Sequence, residues 1–430
     1  MNKTITPLVL GFSLAAMSSA LLAAKPIEII INSGIQASPN EASPASPDQS
    51  QVLPADGGEF LDPNNGVSTS RFGGRGLEPV VRGQSQTQLN VILDGAYVHG
   101  GCPNPMDPPA SWAALETYEK VTVEKGVQTL QHGSGGSGGT VLFERATHLV
   151  TDPKGGVSGD VSLTGMSNGV KHDVSADVIG NNDSVYGRFF AQDREADNYE
   201  DGNGDEVRSL YEHRQYGLEL GFTPTEQRLF EYTIEQNDFE GALYPGAVMD
   251  SPEEEGTIHR LKYHDEFSGA VKRMEVEAYL SDIDHVMDNF SLRTPNPMML
   301  RETVTTSKTK GGKQLLQSII GKTAIDYGLN IQNRERDAQL NNINAGVPLF
   351  LMWPGATTDQ TGVFVEAKSP VSGSSTLKYG VRVDRVEASA SKANTQVNAG
   401  MPTANAMYNM AYGTTADDVT ETNFGSFAAL

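Results

Sequence analysis

From about residue 151 onward, apolar and polar positions alternate. Around Arg228 to Gln236, Leu229 is followed by Phe230, Tyr232 and Ile234 on one parity, with Glu231, Thr233 and Glu235 on the other. Between Arg273 and Leu280 the residues Met274, Val276, Ala278 and Leu280 share one face, and Arg273, Glu275 and Glu277 share the opposite one. Ile325, Tyr327, Leu329 and Ile331 stand against Asp326, Asn330 and Gln332, and Leu377, Tyr379, Val381 and Val383 stand against Lys378 and Arg382. A β-strand turns successive side chains to opposite faces, so each segment predicts a strand with one apolar and one polar face. In a soluble sandwich the apolar face is the core; in a membrane barrel it meets lipid, and the polar face lines the lumen. Charges as dense as Arg273, Glu275 and Glu277 favour a wet lumen. Long polar stretches such as Arg194 to Arg208 and Gly241 to Gly256 fit external loops.

The first 150 residues follow other patterns. Lys3, the apolar run Leu8 to Leu22 and the small residues Ala20 to Ala24 read as a secretory signal peptide over 1–24, cut near Ala23 or Ala24. Lys25 to Gly34 is short and β-prone, and Ile35 to Gln51, rich in Ser, Pro, Ala and Gln, reads as a flexible linker. Residues 52–150 are rich in Gly and in compact motifs, and the alternating region is 151–430. Past the N-terminus no apolar stretch approaches the roughly 18 residues that a spanning helix needs.

Charge and chemistry narrow the function. The chain has 430 residues, a net charge of −22 and one Cys. This acidic balance does not suit nucleic acid and does suit cations. A lone thiol in an exported protein cannot pair within the chain, which singles out Cys102. No Ser-His-Asp order, Walker sequence or paired-carboxylate context stands out, so we expect a protein that is not an enzyme.

Two short motifs carry soft metal donors. In GGCPNPMDPP, Cys102 and Met106 sit in a loop stiffened by Pro103, Pro105, Pro108 and Pro109, whose pre-set φ angles lower the entropy cost of holding two ligands. Thiolate and thioether favour Cu(I) over hard cations. In DIDHVMDN, His285 and Met287 are two residues apart and share a strand face. Parity from Glu275 and Glu277 puts both on the polar side. His99, three residues before Cys102, is a candidate supporting group. Met298, Met299, Met401, Met407 and Met410 are either external metal-capturing groups or ordinary flexible-loop residues, the second being the simpler reading.

Family resemblance enters on three elements: Arg82-Gly83; LNVILDGAY at 89–97; and YEKVTVEKGVQTLQHGSGGSGGTVLFER at 118–145. Their order and spacing resemble the plug domain of TonB-dependent receptors, with Gly126, Gly133, Gly138 and Gly139 at the glycine positions. Val127 and His132 replace the usual proline and tyrosine. A phosphate-binding loop is the rival for such a run, but it needs a terminal Lys and a following helix, and Thr140 to Phe143 is β-prone. The C-x-x-x-M and H-x-M pair, with the stretches at 52–61, 102–109 and 116–126, resembles the TonB-dependent copper receptors of Gram-negative bacteria. That resemblance implies a plug inside a transmembrane antiparallel β-barrel in the outer membrane, with copper as cargo and Cys102, Met106, His285 and Met287 as its ligands. It implies coupling to the TonB complex through residues near Ile27–Asn32, by strand addition. Such receptors close a barrel of about 22 strands, whereas the roughly 280 residues after the plug supply about ten to twelve. We therefore expect an incomplete barrel. A ferric siderophore or other metal chelate as cargo, or a secreted β-rich adhesin without transport, are the alternatives.

Overall fold

The computed structural model of the chain describes residues 28–32, 54–133, 135–145, 155–373, 375–415 and 418–430. The signal-peptide reading, Ile27 and the whole of the linker at 35–51 lie outside the described residues.

The N-terminal part contains β1 (Glu28–Asn32), α1 (Gly57–Leu61), β2 (Val67–Ser70), β3 (Glu78–Val81), β4 (Leu89–Leu93), β5 (Ala96–Tyr97), β6 (Lys120–Lys125) and β7 (Gly139–Glu144). Five of these strands form a sheet in the order β1-β6-β7-β4-β5, and β2 pairs with β3. A two-residue turn joins β4 to β5, with Asp94 at φ 53° and Gly95 at φ 87°. Positive φ at both central residues is what a type I′ hairpin demands, and Asp-Gly supplies it. Gly133, Gly135 and Gly136 also take positive φ before β7 begins, so the Gly-rich run is a turn leading into a strand. Leu61, Leu93, Trp112, Val121, Val123, Val141 and Phe143 are completely buried and form the core of this unit.

The second part is one antiparallel sheet. Its strands are β8 (Gly156–Thr164), β9 (Val170–Asn181), β10 (Val185–Ala196), β13 (Tyr211–Thr225), β14 (Arg228–Ala242), β15 (Asp250–Glu266), β16 (Val271–Asp288), β17 (Arg301–Ile320), β18 (Thr323–Asn342), β19 (Val347–Ser372), β20 (Ser375–Ala390) and β21 (Val419–Ala429). The short hairpin β11 (Tyr199–Glu200) with β12 (Glu206–Val207) and the helix α2 (Ala404–Tyr412) lie in the connections. All 12 wall strands pair with their neighbours in chain order, leaving β8 and β21 as the edges. No helix among the described residues is long and apolar enough to cross a membrane.

Burial on the wall is inverted relative to a soluble protein. Phe189, Leu218, Leu220, Phe222, Phe230, Tyr232, Leu261, Leu280, Val363 and Val381 are exposed on the outward face, while Arg188, Glu219, Glu231, Glu235, Arg260, Asp326, Glu366 and Arg382 are buried on the inward one. This is the pattern of a barrel wall facing lipid outside and a filled lumen inside. The alternation at 228–236, 273–280, 322–332 and 377–383 is realised with the expected parity.

The plug covers the inward charges. Arg145 and Arg260 both reach Glu235 at 2.8 Å, and Lys262 bridges Asp94 at 2.6 Å and Glu231 at 3.1 Å. Arg260 also donates to the Leu93 carbonyl at 2.9 Å. Burial alone would raise the Asp94 carboxyl, but Lys262, Arg145 and Arg260 overcome it and hold Asp94 well below the usual carboxylate range. Trp112 packs edge-on against Phe239 at 5.3 Å, in space that a side chain on Gly256 would fill. Farther along the wall, Glu366 accepts from Thr129 and Leu130, and Arg382 donates to the Leu130 carbonyl at 2.9 Å.

Two outcomes check this arrangement. Leu218→Arg places a charge on the outward face and is expected to destabilise the protein by about 2–4 kcal/mol in lipid vesicles, read by urea unfolding. Glu235→Gln removes the shared partner of two buried cations and is expected to cost about 3–5 kcal/mol in the same assay. A neutral result for either would contradict the assigned face.

Candidate metal centre

The plug segment after β5 reaches the wall because two glycines let it. A β-carbon on Gly100 would lie 2.0 Å from the Asp107 carbonyl, and one on Gly101 would lie 2.8 Å from the His285 β-carbon. The loop that follows is held by its own carboxylate: Asp107 accepts from the Gly101 amide at 2.6 Å and from the Cys102 amide at 2.9 Å. Both Asp107 oxygens are thereby used to shape the turn that presents Cys102.

On the wall, β16 supplies the opposing groups. Odd-numbered residues face the plug there, so His285 and Met287 point inward from one strand face, as their spacing implies. His285 is fully buried and Met287 is 4% exposed. The Met287 thioether and the Cys102 thiol converge, with Sγ to Sδ at 3.2 Å. Met106, 1% exposed, belongs to the same buried cluster as Cys102, Met287 and Tyr244. All four candidate ligands are thus gathered at one place on the plug–wall boundary.

Around them is a shell of charge that the motif spacing did not reveal. Glu254 on β15 is the register partner of His285 on β16. Asp107, Glu254 and His285 are all buried, and one ligating atom from each lies within 4.8 Å of the others. His285 Nδ1 stands 3.5 Å from Asp107 Oδ2 and 3.7 Å from Glu254 Oε1. Neither ring nitrogen of His285 makes a hydrogen bond. A fully buried imidazole with both nitrogens unpartnered is uncommon in a folded protein and marks a place where a ligand belongs. Glu254 itself is occupied: Arg75 reaches it at 2.5 Å, and the Tyr244 hydroxyl lies 3.2 Å from its other oxygen and 3.1 Å from the Met106 carbonyl. Arg75 is also stacked on Phe239, 3.6 Å from the ring centroid. Burial pushes the Cys102 thiol up from its ordinary value, and adjacent His285 pulls the other way.

The sequence motifs contained Asp107 but gave no reason to choose it. Glu254 sits within three successive glutamates, and only the strand parity of β15 would have separated it from Glu253 and Glu255. His99 does not support these ligands as expected. It stacks on Tyr97 and turns toward Gln332, Arg334 and Arg336; burial first, and those arginines second, hold it well below its ordinary value. Met298 and Met299 are exposed in the β16–β17 loop, and Met410 is exposed on α2 beyond β20, while Met249 packs against the Cys102 cluster. A cavity of about 1030 Å³ between plug and wall is bordered by Cys102 and Asp107 at one end and by Lys313, Arg334, Arg336 and Gln360 farther along.

Residues 45–140 match the family model described as the TonB-dependent Receptor Plug Domain. No curated protein matches the chain. Among solved structures, the copper transporter OprC superposes with a TM-score of 0.79 at 29% identity, over 88% of this chain and 57% of that one. The FrpB iron transporter from Neisseria meningitidis gives 0.64 at 18% identity, over 86% of this chain and 59% of that one. The unliganded ferric citrate transporter FecA gives 0.62 at 13% identity, over 89% and 58%. The chain therefore spans a little under three-fifths of the length of each of these structures. The plug-domain match over residues 45–140 and these superpositions together give the chain the fold of the TonB-dependent receptors.

Proposed function

We propose that this chain is part of an outer-membrane receptor that imports copper, bound by Cys102, Met106, His285 and Met287. The observation that carries the reading is the meeting of two sulfurs beside a buried imidazole neither of whose nitrogens is hydrogen-bonded. The neighbouring carboxylates could suggest a harder ion, as in the iron transporters with this fold. Yet Asp107 is spent on two backbone amides and Glu254 on Arg75 and Tyr244, so the groups left over are thiol, thioether and imidazole. Soft sulfur donors with one imidazole suit copper. The similarity to the copper transporter OprC, 29% identical, points the same way.

Asp107 acts on the site through His285. A carboxylate facing one imidazole nitrogen fixes the tautomer and leaves the other nitrogen for the metal. The centre spans the two units: Cys102 and Met106 belong to the plug, His285 and Met287 to the wall, so a plug that shifts takes half of the ligands with it. Energy for that shift would come from the TonB complex through the N-terminal strand. In the structure β1, Glu28–Asn32, pairs in parallel with β6 at the edge of the plug sheet, a main-chain pairing of the kind that a partner strand can replace. Export, the lipid-facing outer surface and residence in the outer membrane complete this reading. It involves no nucleic acid.

Copper binding tests it. Purified protein should bind copper at one tight site, and Cys102→Ala with Met287→Ala should abolish that site while leaving the fold intact by circular dichroism. Equal copper binding by the double variant, with a ferric chelate bound instead, would return the assignment to the siderophore class. Asp107→Asn should lower copper affinity about 10–100-fold or more, because it removes the orienting partner of His285 and one of the two acceptors that shape the Cys102 turn. The raised thiol gives a further check. Alkylation of Cys102 by iodoacetamide should be slower at neutral pH than that of an exposed cysteine, because burial raises the thiol, and be blocked by one equivalent of copper. Fast alkylation at pH 7 in the presence of copper would contradict the assignment.

A further inference from the structure

On the inward face of this wall, arginines are paired. Arg188 meets Asp177 at 2.6 Å, Arg260 meets Glu235 at 2.8 Å and Arg382 meets Asp384 at 2.7 Å. Arg334 and Arg336 break that rule. Both lie on the inward parity of β18, and among the described residues neither guanidinium has a carboxylate opposite it. Arg336 lies over Trp353, 4.4 Å from the ring centroid. The acids beside them in sequence, Glu335 and Asp337, face the other way and are matched to Lys310 at 3.6 Å and Lys392 at 2.9 Å.

Strand register fixes where these charges sit. Glu254, His285, Thr305 and Ala338 form one row across four strands. Two residues down each strand, about 6.6 Å, Ile283, Ser307 and Arg336 form the next row; two further down, Ser281, Thr309, Arg334 and Thr358 form a third. The hydroxyls of Ser281, Ser307 and Thr309 are buried and have no hydrogen-bond partner, and nor does His99 Nε2, which the plug directs to this region. The same cavity touches Cys102, Asp107, His99, Gln332, Arg334 and Arg336. Two unneutralised planar forks, with His99 and Gln332 beside them, therefore border one space next to the candidate metal centre. Guanidinium matches a carboxylate or oxyanion in geometry as well as charge.

We infer that Arg334 and Arg336 form an anion subsite for a carboxylate-sized oxyanion, one to two rows of the wall below His285. The pair of charges supplies the attraction, and the Arg336–Trp353 stack holds one fork in place. The occupant is either a free anion or the carboxylate of a small molecule that chelates the metal. The subsite does not depend on the copper assignment, since none of its residues is a proposed ligand.

Trp353 provides the reporter, because Trp112 is sealed in the plug core. The metal-free full chain in detergent micelles is titrated with sodium acetate, and separately with sulfate, at constant ionic strength. A saturable change in tryptophan emission is expected. It should weaken at least tenfold in Arg334→Gln/Arg336→Gln, persist in Arg334→Lys/Arg336→Lys, and be unchanged in Arg385→Gln, an exposed arginine elsewhere on the wall. Arg334→Gln alone keeps the stack on Trp353 and serves if the double variant does not fold. Calorimetry with copper glycinate distinguishes the sources. An Arg-dependent gain of tenfold or more over acetate supports a chelate as occupant, and equal affinity supports a free anion. Absence of any saturable response to acetate, sulfate and copper glycinate, or an undiminished response in the glutamine variants, would overturn the proposal. Binding of copper alone at Cys102 should be the same in all of these variants, so a failure of the metal reading would show separately.

Discussion

Strand parity constrains everything else in this protein. Because successive side chains leave a strand on opposite faces, an apolar outward row such as Leu218, Leu220 and Phe222 forces the intervening residues inward. In this chain those intervening residues are largely charged. Glu219, Glu231, Glu235, Arg260 and Lys262 stand in a region that the plug seals from water. The plug must then answer with Arg145, Asp94 and main-chain carbonyls, because an unanswered buried charge costs several kcal/mol. The plug is positioned by charge matching as much as by its apolar contact through Trp112 and Phe239.

The proposed metal centre uses the same constraint at a higher level of demand. His285 and Met287 are carried inward by β16 as rigidly as any lumen charge, and the plug loop is brought against them by Gly100 and Gly101. What distinguishes this place from the ion-pair contacts is that two sulfurs meet beside an imidazole with neither nitrogen hydrogen-bonded. Arg75 neutralises Glu254, and Asp107 closes its own loop, but the imidazole remains open and the sulfurs lie together. A centre assembled from plug and wall donors suits reversible capture, since shifting the plug separates the donors. The Arg334–Arg336 region is another place on the wall where, among the described residues, inward charge has no partner of opposite sign.

Much of this was legible before any coordinates. The period-two pattern at 228–236 and 273–280 located strands and their faces, because a half-buried strand imposes its parity directly on residue choice. Parity also carried His285 and Met287 to the correct side, and the proline-stiffened Cys102–Met106 loop announced itself by its donors. Glu254 and Arg75 were not legible. Each is ordinary in its own neighbourhood, an acid among acids and an arginine in a glycine-rich turn, and only the cross-strand register and the plug's docking bring them to His285. His99 shows the converse limit. Proximity in sequence to Cys102 suggested a shared site, but the chain turns between them, and the ring ends beside Arg334 and Arg336. The open edges at β8 and β21 agree with the ten to twelve strands expected from length.

The central claim is that sulfur from the plug and nitrogen from the wall bind one copper ion. X-ray absorption at the copper edge, on protein loaded with one equivalent, tests it most directly. The account predicts a first shell dominated by sulfur with one imidazole nitrogen, losing one sulfur in Met287→Ala and the imidazole signature in His285→Ala. A shell made only of nitrogen and oxygen, unchanged by either substitution, would contradict it.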